Sequence, residues 1–542
     1  MAVAAMSISR RGFLRAGAGV GAAAAVGAAS WAVLPKIVRP GEPGLLLPSA
    51  APLPQPYRAY LPIPPELAPV ASDATTDYYE IVQRTAHLDI LPGLRTEAWT
   101  YHGTFPGPTI RARTGRATAV RHRNELPHPT VVHLHGGHTP ADSDGYPMDL
   151  ILPVGSTTAP QHHGHGAATT MTGALAHGER TYLYPNRQRA ATLWYHDHRH
   201  SFTGPAVWRG LAGFHLVGDD AEDALPLPRG DRDIPLLISD RSFAADGSFA
   251  YPLIDPDLRT PGVTDPYMNG VLGDVVLVNG APWPRLEASP VRYRFRLLNA
   301  SNARRYRLML DPPGAGFVQV GSDGGLLDRP IRHDHLDISP AERFDVIIDF
   351  GAYPPGTSVR LRNALDTGPA ADIMRFDVTG PLRRDDTTVP DRLAPVERLD
   401  PATAVAERTF LFQLGPHGWS INGAPYEPGR ALANPRLGTV EIWRFITDFQ
   451  RPPRPVPGDL PQQPPARPLR RGLERHRRRP PRRGRRGRGP FHRLPRPVHA
   501  ALPQSRTRGH GDDGRLRGDV VAPPRGATDE FPAPDRSELV TP

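Results

Sequence analysis

The chain has 542 residues, no cysteine and a formal net charge of +10 at pH 7. Because thiolates are absent, the composition excludes disulfides, cysteine nucleophiles, zinc–thiolate sites and any copper site that requires a thiolate. At roughly 100 to 200 residues per domain, the length predicts about three domains.

The positive charge is concentrated at the end of the chain. Residues 451–542 contain 22 arginines and 9 acidic residues, whereas residues 1–450 contain 43 basic and 46 acidic residues. A basic surface spread over a folded domain would indicate a polyanionic partner. Since the body of the chain is slightly acidic, we expect no nucleic-acid partner.

The first 34 residues predict an export signal. The segment Ser9–Arg15 contains paired arginines and precedes an apolar stretch of alanine and glycine, a pattern that resembles a twin-arginine signal. This stretch is too weakly apolar for a transmembrane span, so we expect no stable membrane anchor. The expected partner is the twin-arginine export machinery, and the expected location is extracellular or in the cell envelope. Residues 35–56 are proline-rich and predict a linker.

Between about residues 57 and 450 the sequence predicts strands rather than helices. Short alternating or β-branched runs are separated by turn residues, and no long amphipathic pattern competes with them. Proline-rich joints divide this body into blocks of about 165, 155 and 50 residues, of which the first two have the size of β-sandwiches. The clearest predicted strands are Thr118–His122, Thr130–Leu134, Val291–Leu298, Arg305–Leu310, Phe344–Phe350 and Thr439–Ile446.

Two H-x-H pairs lie at the ends of predicted strands in the first block, His133 with His135 and His196 with His198. Because residues i and i+2 of a strand share a face, each pair directs two imidazoles toward one point. Imidazole suits copper, zinc, iron or nickel, so the pairs favour a polynuclear metal site without selecting the metal.

Two further histidine groups carry less weight. His333 and His335 form a third H-x-H pair, but no apolar run precedes them, and we interpret them as a loop pair. His162, His163 and His165 lie in a polar, glycine-containing segment. We interpret that segment as a flexible loop, with an accessory metal contact as the alternative.

The surroundings of the first two pairs resemble a known family. The stretches His133–Gly145, Leu193–His198 and Gly210–Phe214 are similar to the first-domain copper motifs of multicopper oxidases, especially bacterial spore-coat laccases, bilirubin oxidases and phenoxazinone synthases. The resemblance extends from about Tyr57 to Phe449. Supporting similarities are Gly103–Pro108, Leu297–Ala300, Pro340–Asp345 and Gly438–Trp443.

The resemblance implies an all-β fold of tandem cupredoxin-like β-sandwich domains. Two domains would be complete, at residues 57–222 and 226–384, and a third would start at residues 405–450. A disordered, Arg/Pro-rich tail would follow at residues 451–542.

The resemblance also implies copper ligands and a reaction. It places His133 on a type 2 copper, and His135, His196 and His198 on a pair of type 3 coppers. Asp144 resembles the acidic residue that assists proton delivery to dioxygen, with an Asp-Gly turn residue as the alternative. The implied reaction takes single electrons from phenols, aromatic amines or bilirubin-like compounds and reduces dioxygen to water.

The family pattern breaks in the third block. There the family supplies four more cluster histidines and the type 1 copper site, which requires a cysteine thiolate, two histidines and often an axial methionine. This chain has no cysteine, and its last methionine is Met374. We therefore expect the chain as written to be inactive as an oxidase.

The tail after residue 450 has three interpretations: a disordered basic segment, an Arg/Gly-rich nucleic-acid-binding segment, or an out-of-frame translation. Shifted by one base, the codons of Leu473–Arg478 permit Trp-Ser-Asp-Thr-Val. The codons of His499–Gly514 permit Met-Leu-His-Cys-His-Asn-Leu-Glu-His-Glu-Asp-Met-Gly-Met-Met. These are the strand and the last copper motif of the family, so we expect a frameshift between about Phe449 and Gly472.

Two functions from other classes compete with a laccase-like oxidase. A non-catalytic copper-binding protein with a basic tail for polyanions would need an apolar third-domain core after Gln450, which the sequence does not show. A zinc hydrolase using His196 and His198 would need a paired glutamate base at helical spacing, which is also missing. The oxidase is therefore the favoured interpretation.

Overall fold

The computed structural model describes residues 44–156, 173–380, 383–415, 418–427 and 429–447. The predicted export signal, the histidines at 162–165 and the tail at 451–542 lie outside these residues. The described residues divide into two compact units, with the boundary between Val396 and Glu397. No helix among them is long and apolar enough to cross a bilayer.

The described residues form short strands, two short α-helices and several 3-10 turns. The first block contains β1 (Leu45–Leu47), β2 (Ala71–Ser72), β3 (Thr76–Leu88), β4 (Thr96–Tyr101), β5 (Gly107–Arg113), β6 (Ala117–Asn124), β7 (Val132–His135), β8 (Leu150–Leu152), β9 (Leu175–His177), β10 (Glu179–Tyr184), β11 (Ala191–Asp197), α1 (Thr203–Arg209), β12 (Ala212–Gly218) and α2 (Asp220–Asp223). The second block contains β13 (Asp233–Phe243), β14 (Phe249–Ala250), β15 (Val271–Gly273), β16 (Val275–Val278), β17 (Ala281–Pro282), β18 (Arg285–Ala288), β19 (Arg292–Asn299), β20 (Tyr306–Asp311), β21 (Phe317–Ser322), β22 (Gly325–His333), β23 (His335–Ile338), β24 (Arg343–Asp349), β25 (Ser358–Asn363) and β26 (Asp372–Val378). The second unit contains β27 (Ala404–Gly415), β28 (Gly418–Ile421) and β29 (Val440–Thr447).

The first β-sandwich consists of two main sheets. One has the order β10-β6-β3-β2, with β4 also paired to β3, and the other has the order β5-β12-β11-β7. Buried side chains from both sheets fill the space between them, including Ile81, Tyr101 and Leu193. Because side chains alternate along a strand, the opposite face of β11 remains available for other contacts.

The second β-sandwich has the same plan. One sheet has the order β17-β16-β13-β19-β24-β21-β22, with β14 paired to β13, and the other has the order β18-β26-β25-β20-β23. Its core includes Phe295, Phe350 and Phe376, which pack against one another. The all-β prediction is therefore confirmed, and the six predicted strands are present with ends shifted by at most two residues.

A buried ionic network joins the two sandwiches. Arg296 donates to Asp233 at 2.8 Å and to Glu222 at 3.0 Å, and the Nε of Arg294 donates to Asp345 at 2.8 Å. All five side chains are almost completely buried. Removing one partner would leave buried charge uncompensated, so the network favours a single arrangement of the two sandwiches.

The segment Leu45–Leu67, here called the strap, crosses both sandwiches. β1 pairs in parallel with β15 of the second sandwich, and the backbone N–H of Ser49 donates to Asp274 at 2.7 Å. At its other end, the N–H of Leu67 donates to the Thr109 carbonyl of the first sandwich at 2.9 Å. Within the linker predicted at 35–56, residues 45–47 therefore pair in a sheet, because a proline-rich segment can still complete a sheet edge.

The second unit contains one three-stranded sheet in its described residues, with the order β28-β27-β29. Arg408 on β27 pairs with Glu441 on β29 at 2.6 Å and links the two strands. Several large apolar side chains of this unit remain exposed: Val405, Tyr426, Leu432, Leu437, Phe445 and Ile446.

Candidate metal centre

The neighbouring strands β7 and β11 bring the two H-x-H pairs together. They are antiparallel, and their register places His196 opposite His133 and Trp194 opposite His135. Residues that are directly opposite in an antiparallel pair share a face of the sheet. His198 follows the end of β11 and completes the group.

The four imidazoles form a compact cluster. Nitrogen atoms of His133, His135 and His196 lie within 4.8 Å of one another, a separation that could hold a metal ion. The ring centroid of His198 lies 4.8 Å from that of His133 and 5.8 Å from that of His196. The structure therefore brings together all four histidines predicted to bind metal.

Backbone carbonyls orient three of the four rings. Nδ1 of His133 lies 2.5 Å from the carbonyl oxygen of Asp144. Nδ1 of His196 lies 2.8 Å from that of Asp197, and Nδ1 of His198 lies 3.0 Å from that of Gly145. A carbonyl can only accept a hydrogen bond, so Nδ1 carries the proton in each ring. The Nε2 lone pair is then free for a metal, as in most histidine metal sites.

Burial favours the neutral form of three of the imidazoles, those of His135, His196 and His198. It lowers the pKa of His135 to about 4, with a further contribution from the charge of Arg343. Burial also lowers the pKa values of His196 and His198. Only the neutral ring offers a lone pair, so these shifts favour metal binding at neutral pH.

Asp144 lies beside the cluster. Its Oδ1 is 3.6 Å from Nδ1 of His133 and accepts a hydrogen bond from the hydroxyl of Thr139 at 2.9 Å. The side chain is 53% exposed. A carboxylate that touches both a cluster histidine and solvent can exchange protons between them.

The cluster has neighbours that sequence analysis missed. Asp197 accepts hydrogen bonds from the N–H groups of Val131 and Arg199, each at 3.1 Å, and burial raises its pKa to about 7. Trp194 and Arg343 also lie against the cluster. The i, i+2 rule could have identified Trp194 because it is two residues before His196, whereas Arg343 comes from a distant strand.

The third H-x-H pair, His333 and His335, lies on strands, so the prediction of a loop pair is wrong. His333 ends β22 and His335 begins β23, with one residue between them. His333 bonds to Gln319 at 3.0 Å and His335 to Asp334 at 2.8 Å. The strand was missed because polar residues on an exposed strand lack the apolar alternation that identifies a half-buried one.

The cluster fits copper. Uncharged imidazole nitrogens are good ligands for copper, and the carbonyl bonds fix the orientation of three rings. Zinc, iron and nickel accept the same donors, so the donor set alone does not distinguish among them.

Among these metals, comparison with known proteins points to copper. A family model described as multicopper oxidase matches residues 83–172. The chain is 40% identical over 436 residues to a laccase of Bacillus stratosphericus, a match that covers 71% of this chain and 79% of that protein. It is 34% identical to a bilirubin oxidase of Albifimbria verrucaria, covering 68% of this chain and 62% of that protein.

A solved structure shows the same architecture. The laccase from Pediococcus acidilactici superposes with a TM-score of 0.60 at 28% identity, covering 75% of this chain and 79% of that one.

Proposed function

Because this chain belongs to the multicopper oxidase family, we propose that its gene encodes a laccase-like oxidase. Such an enzyme takes single electrons from phenols, aromatic amines or bilirubin-like compounds and reduces dioxygen to water. Similarity to laccases and to a bilirubin oxidase supports this substrate class. The observation that carries the proposal is the convergence of four imidazoles, three on the neighbouring strands β7 and β11 and one just after β11.

Copper at this centre would supply the single-electron steps. We assign His133 to the type 2 ion, and His135, His196 and His198 to the paired type 3 ions. The protein's own contribution is to keep His135, His196 and His198 neutral by burial, to orient three of the four rings through backbone carbonyls and to exclude bulk water from His196. Asp144 is our candidate for proton delivery because it is close to His133 and reaches solvent.

We further propose that the chain as written is inactive. Electrons from the substrate would enter through a type 1 copper, and its thiolate ligand is missing because the chain has no cysteine. The reading-frame test supports a frameshift between about Phe449 and Gly472, after which the intended sequence contains His-Cys-His. The arginine-rich tail is then a product of the wrong frame.

The remaining assignments follow the family pattern. We propose cupredoxin-like domains at residues 57–222 and 226–384 and the start of a third at residues 405–450. We also propose export by the twin-arginine route to the cell envelope or the medium, which the paired arginines at the start of the chain support.

Resequencing the gene from the codon of Gly438 to the codon of Gly518 tests the frameshift. We expect that one added or removed base restores His-Cys-His. If the DNA matches the written sequence, the frame was not misread, and the organism makes a chain without type 1 ligands.

Expression of both versions tests the function. The frame-restored protein should oxidise a phenolic reductant with dioxygen and show the blue colour of a copper–thiolate centre, whereas the chain as written should do neither. In the restored protein, His196→Ala should abolish activity, and His335→Ala, on β23, should retain it. Loss of activity in both variants would contradict the assignment of the cluster.

A further inference from the structure

His135 differs from the other three histidines of the cluster. Among the described residues, its Nδ1 has no carbonyl partner and lies 3.4 Å from Nε2 of His196. The ring torsion of histidine is broad and roughly two-fold, so an imidazole without such a bond can turn about its axis. Apart from this long contact to His196, the plane of the His135 ring has to be fixed by packing.

The indole of Trp194 stacks on that ring. The ring centroids of Trp194 and His135 are 5.2 Å apart with an interplanar angle of 24°. The same indole stacks on His196 at 4.1 Å and 29°. One rigid aromatic surface therefore covers two of the four imidazoles.

The second sandwich holds this indole in place. Trp194 is 4% exposed and packs with Phe214 of its own sheet and with Leu237 and Leu298 of the second sandwich. Its Nε1 has no hydrogen-bond partner among the described residues. The indole is thus held by packing alone, which fixes a ring plane without competing for hydrogen bonds.

The side chain of Arg343, from the second sandwich, packs against the backbone that follows His135. Its guanidinium donates to the Thr192 carbonyl at 3.1 Å and to the Ala341 carbonyl at 2.7 Å. A Cβ at Gly136 would lie 2.7 Å from Nη2 of Arg343. The loop after His135 therefore passes directly against a buried side chain of the second sandwich.

We propose that Trp194 is a positioning residue for copper, which sets the ring planes of His135 and His196 and is itself fixed by the second sandwich. The second sandwich supplies none of the four histidines of the cluster, yet in this arrangement it controls how two of them present their lone pairs. This proposal rests on copper binding at the cluster, as proposed above.

Copper titration of the full chain tests the proposal. Trp194→Leu removes the aromatic surface and should weaken Cu²⁺ binding about tenfold or more, since partners that orient metal ligands typically contribute 10- to 100-fold in affinity. With at most one Cu²⁺ added per chain, it should also change the copper hyperfine pattern in electron paramagnetic resonance. Trp194→Phe keeps a smaller aromatic surface, so its copper affinity should lie between those of the unaltered chain and Trp194→Leu.

Trp208→Leu is the matched control. Trp208 is a fully buried tryptophan of the same sandwich on α1, where it contacts Tyr251 and Arg241. This variant should lower thermal stability but leave copper affinity and the resonance spectrum unchanged. If Trp194→Leu does not fold, Trp194→Phe carries the same comparison.

The outcomes separate the two proposals. If the unaltered chain binds copper and the Trp194 variants bind it equally well, the positioning role is overturned and the copper site stands. If the unaltered chain binds no copper, the positioning role is overturned, whereas the proposed oxidase is judged separately by the activity of the frame-restored protein. Equal losses of affinity in the Trp194 and Trp208 variants would also overturn the positioning role, because they would reflect general destabilisation.

Discussion

Two histidines in the core of the first sandwich lie outside the metal cluster. His122 and His215 are completely buried, and His122 lies 3.4 Å from the side-chain amide of Gln83. Burial lowers the pKa of His122 to about 3 and that of His215 to about 4. Both rings are therefore neutral in the folded protein throughout the range in which unfolded histidine becomes charged.

This difference between the pKa values of the folded and unfolded chain predicts that the folded protein loses stability in acid. Below about pH 6.5 the unfolded chain binds one proton at each position, while the folded chain does not bind it until about pH 3 to 4. The free energy of unfolding should therefore fall as pH falls from about 6.5 to 4, by about 1.4 kcal/mol per pH unit for each group. Urea unfolding followed by fluorescence at several pH values measures this slope.

The variant His215→Phe removes one of the two groups, so it should reduce the slope of unfolding free energy against pH by about 1.4 kcal/mol per pH unit. Replacement of an exposed histidine, His87→Gln, is the control. A slope that is the same in His215→Phe as in the unaltered chain would contradict the prediction.

At the scale of single residues, the sequence predicted the four cluster histidines because spacing along a strand determines which side chains share a face. It could not predict the carbonyl acceptors of the Nδ1 protons, since these depend on the path of the loop that contains Asp144. It also missed Arg343, whose approach to the cluster depends on the packing of two sandwiches.

At the scale of elements, the loop that follows the 3-10 turn Ala141–Ser143 supplies two of the carbonyl acceptors of the cluster. Gly145 in this loop has a φ of +77°, and a Cβ there would lie 2.3 Å from the Val132 carbonyl on β7. A side chain at this position would push the loop away from β7. The carbonyls that orient His133 and His198 would move with it.

Gly145→Ala should therefore weaken copper binding by about tenfold or more. Gly115→Ala is the matched control because Gly115 has a φ of +80° but open space around its Cβ position. Both variants carry left-handed backbone strain of about 1 to 2 kcal/mol, so both should lower the melting temperature. Copper affinity that falls equally in both would show that strain, rather than loop displacement, is responsible.

Strands were easier to predict than the strap. β19 alternates apolar and charged residues and β24 contains a β-branched apolar run, and these patterns alone identify both as strands. β1 has only three residues and forms because β15 offers a free edge more than 200 residues later. Such pairing leaves no local pattern, so no reading of residues 45–56 by themselves could detect it.

At the scale of the whole molecule, the exposed apolar residues of the second unit predict poor solubility. Val405, Phe445 and Ile446 are 66%, 53% and 48% exposed on a three-stranded sheet. Apolar patches and unpaired strand edges promote association. The chain as written should therefore give a soluble yield several-fold lower than the frame-restored version.

Size-exclusion chromatography of both proteins, expressed in parallel, measures this difference. Frame-restored protein with His196→Ala is the control, because it separates completion of the third domain from copper binding and should keep the high yield. Equal, monodisperse yields of the written and restored chains would contradict the prediction.

The strap has a consequence for the order of synthesis. Ser49 contacts Asp274, which is 225 positions later in the chain. Ribosomes add about 5 to 20 residues per second, so roughly 10 to 45 s pass between the emergence of these two residues. Throughout that interval Leu45–Leu47 lack their partner strand β15, so their backbone N–H and C=O groups are open to a chaperone that recognises short apolar segments.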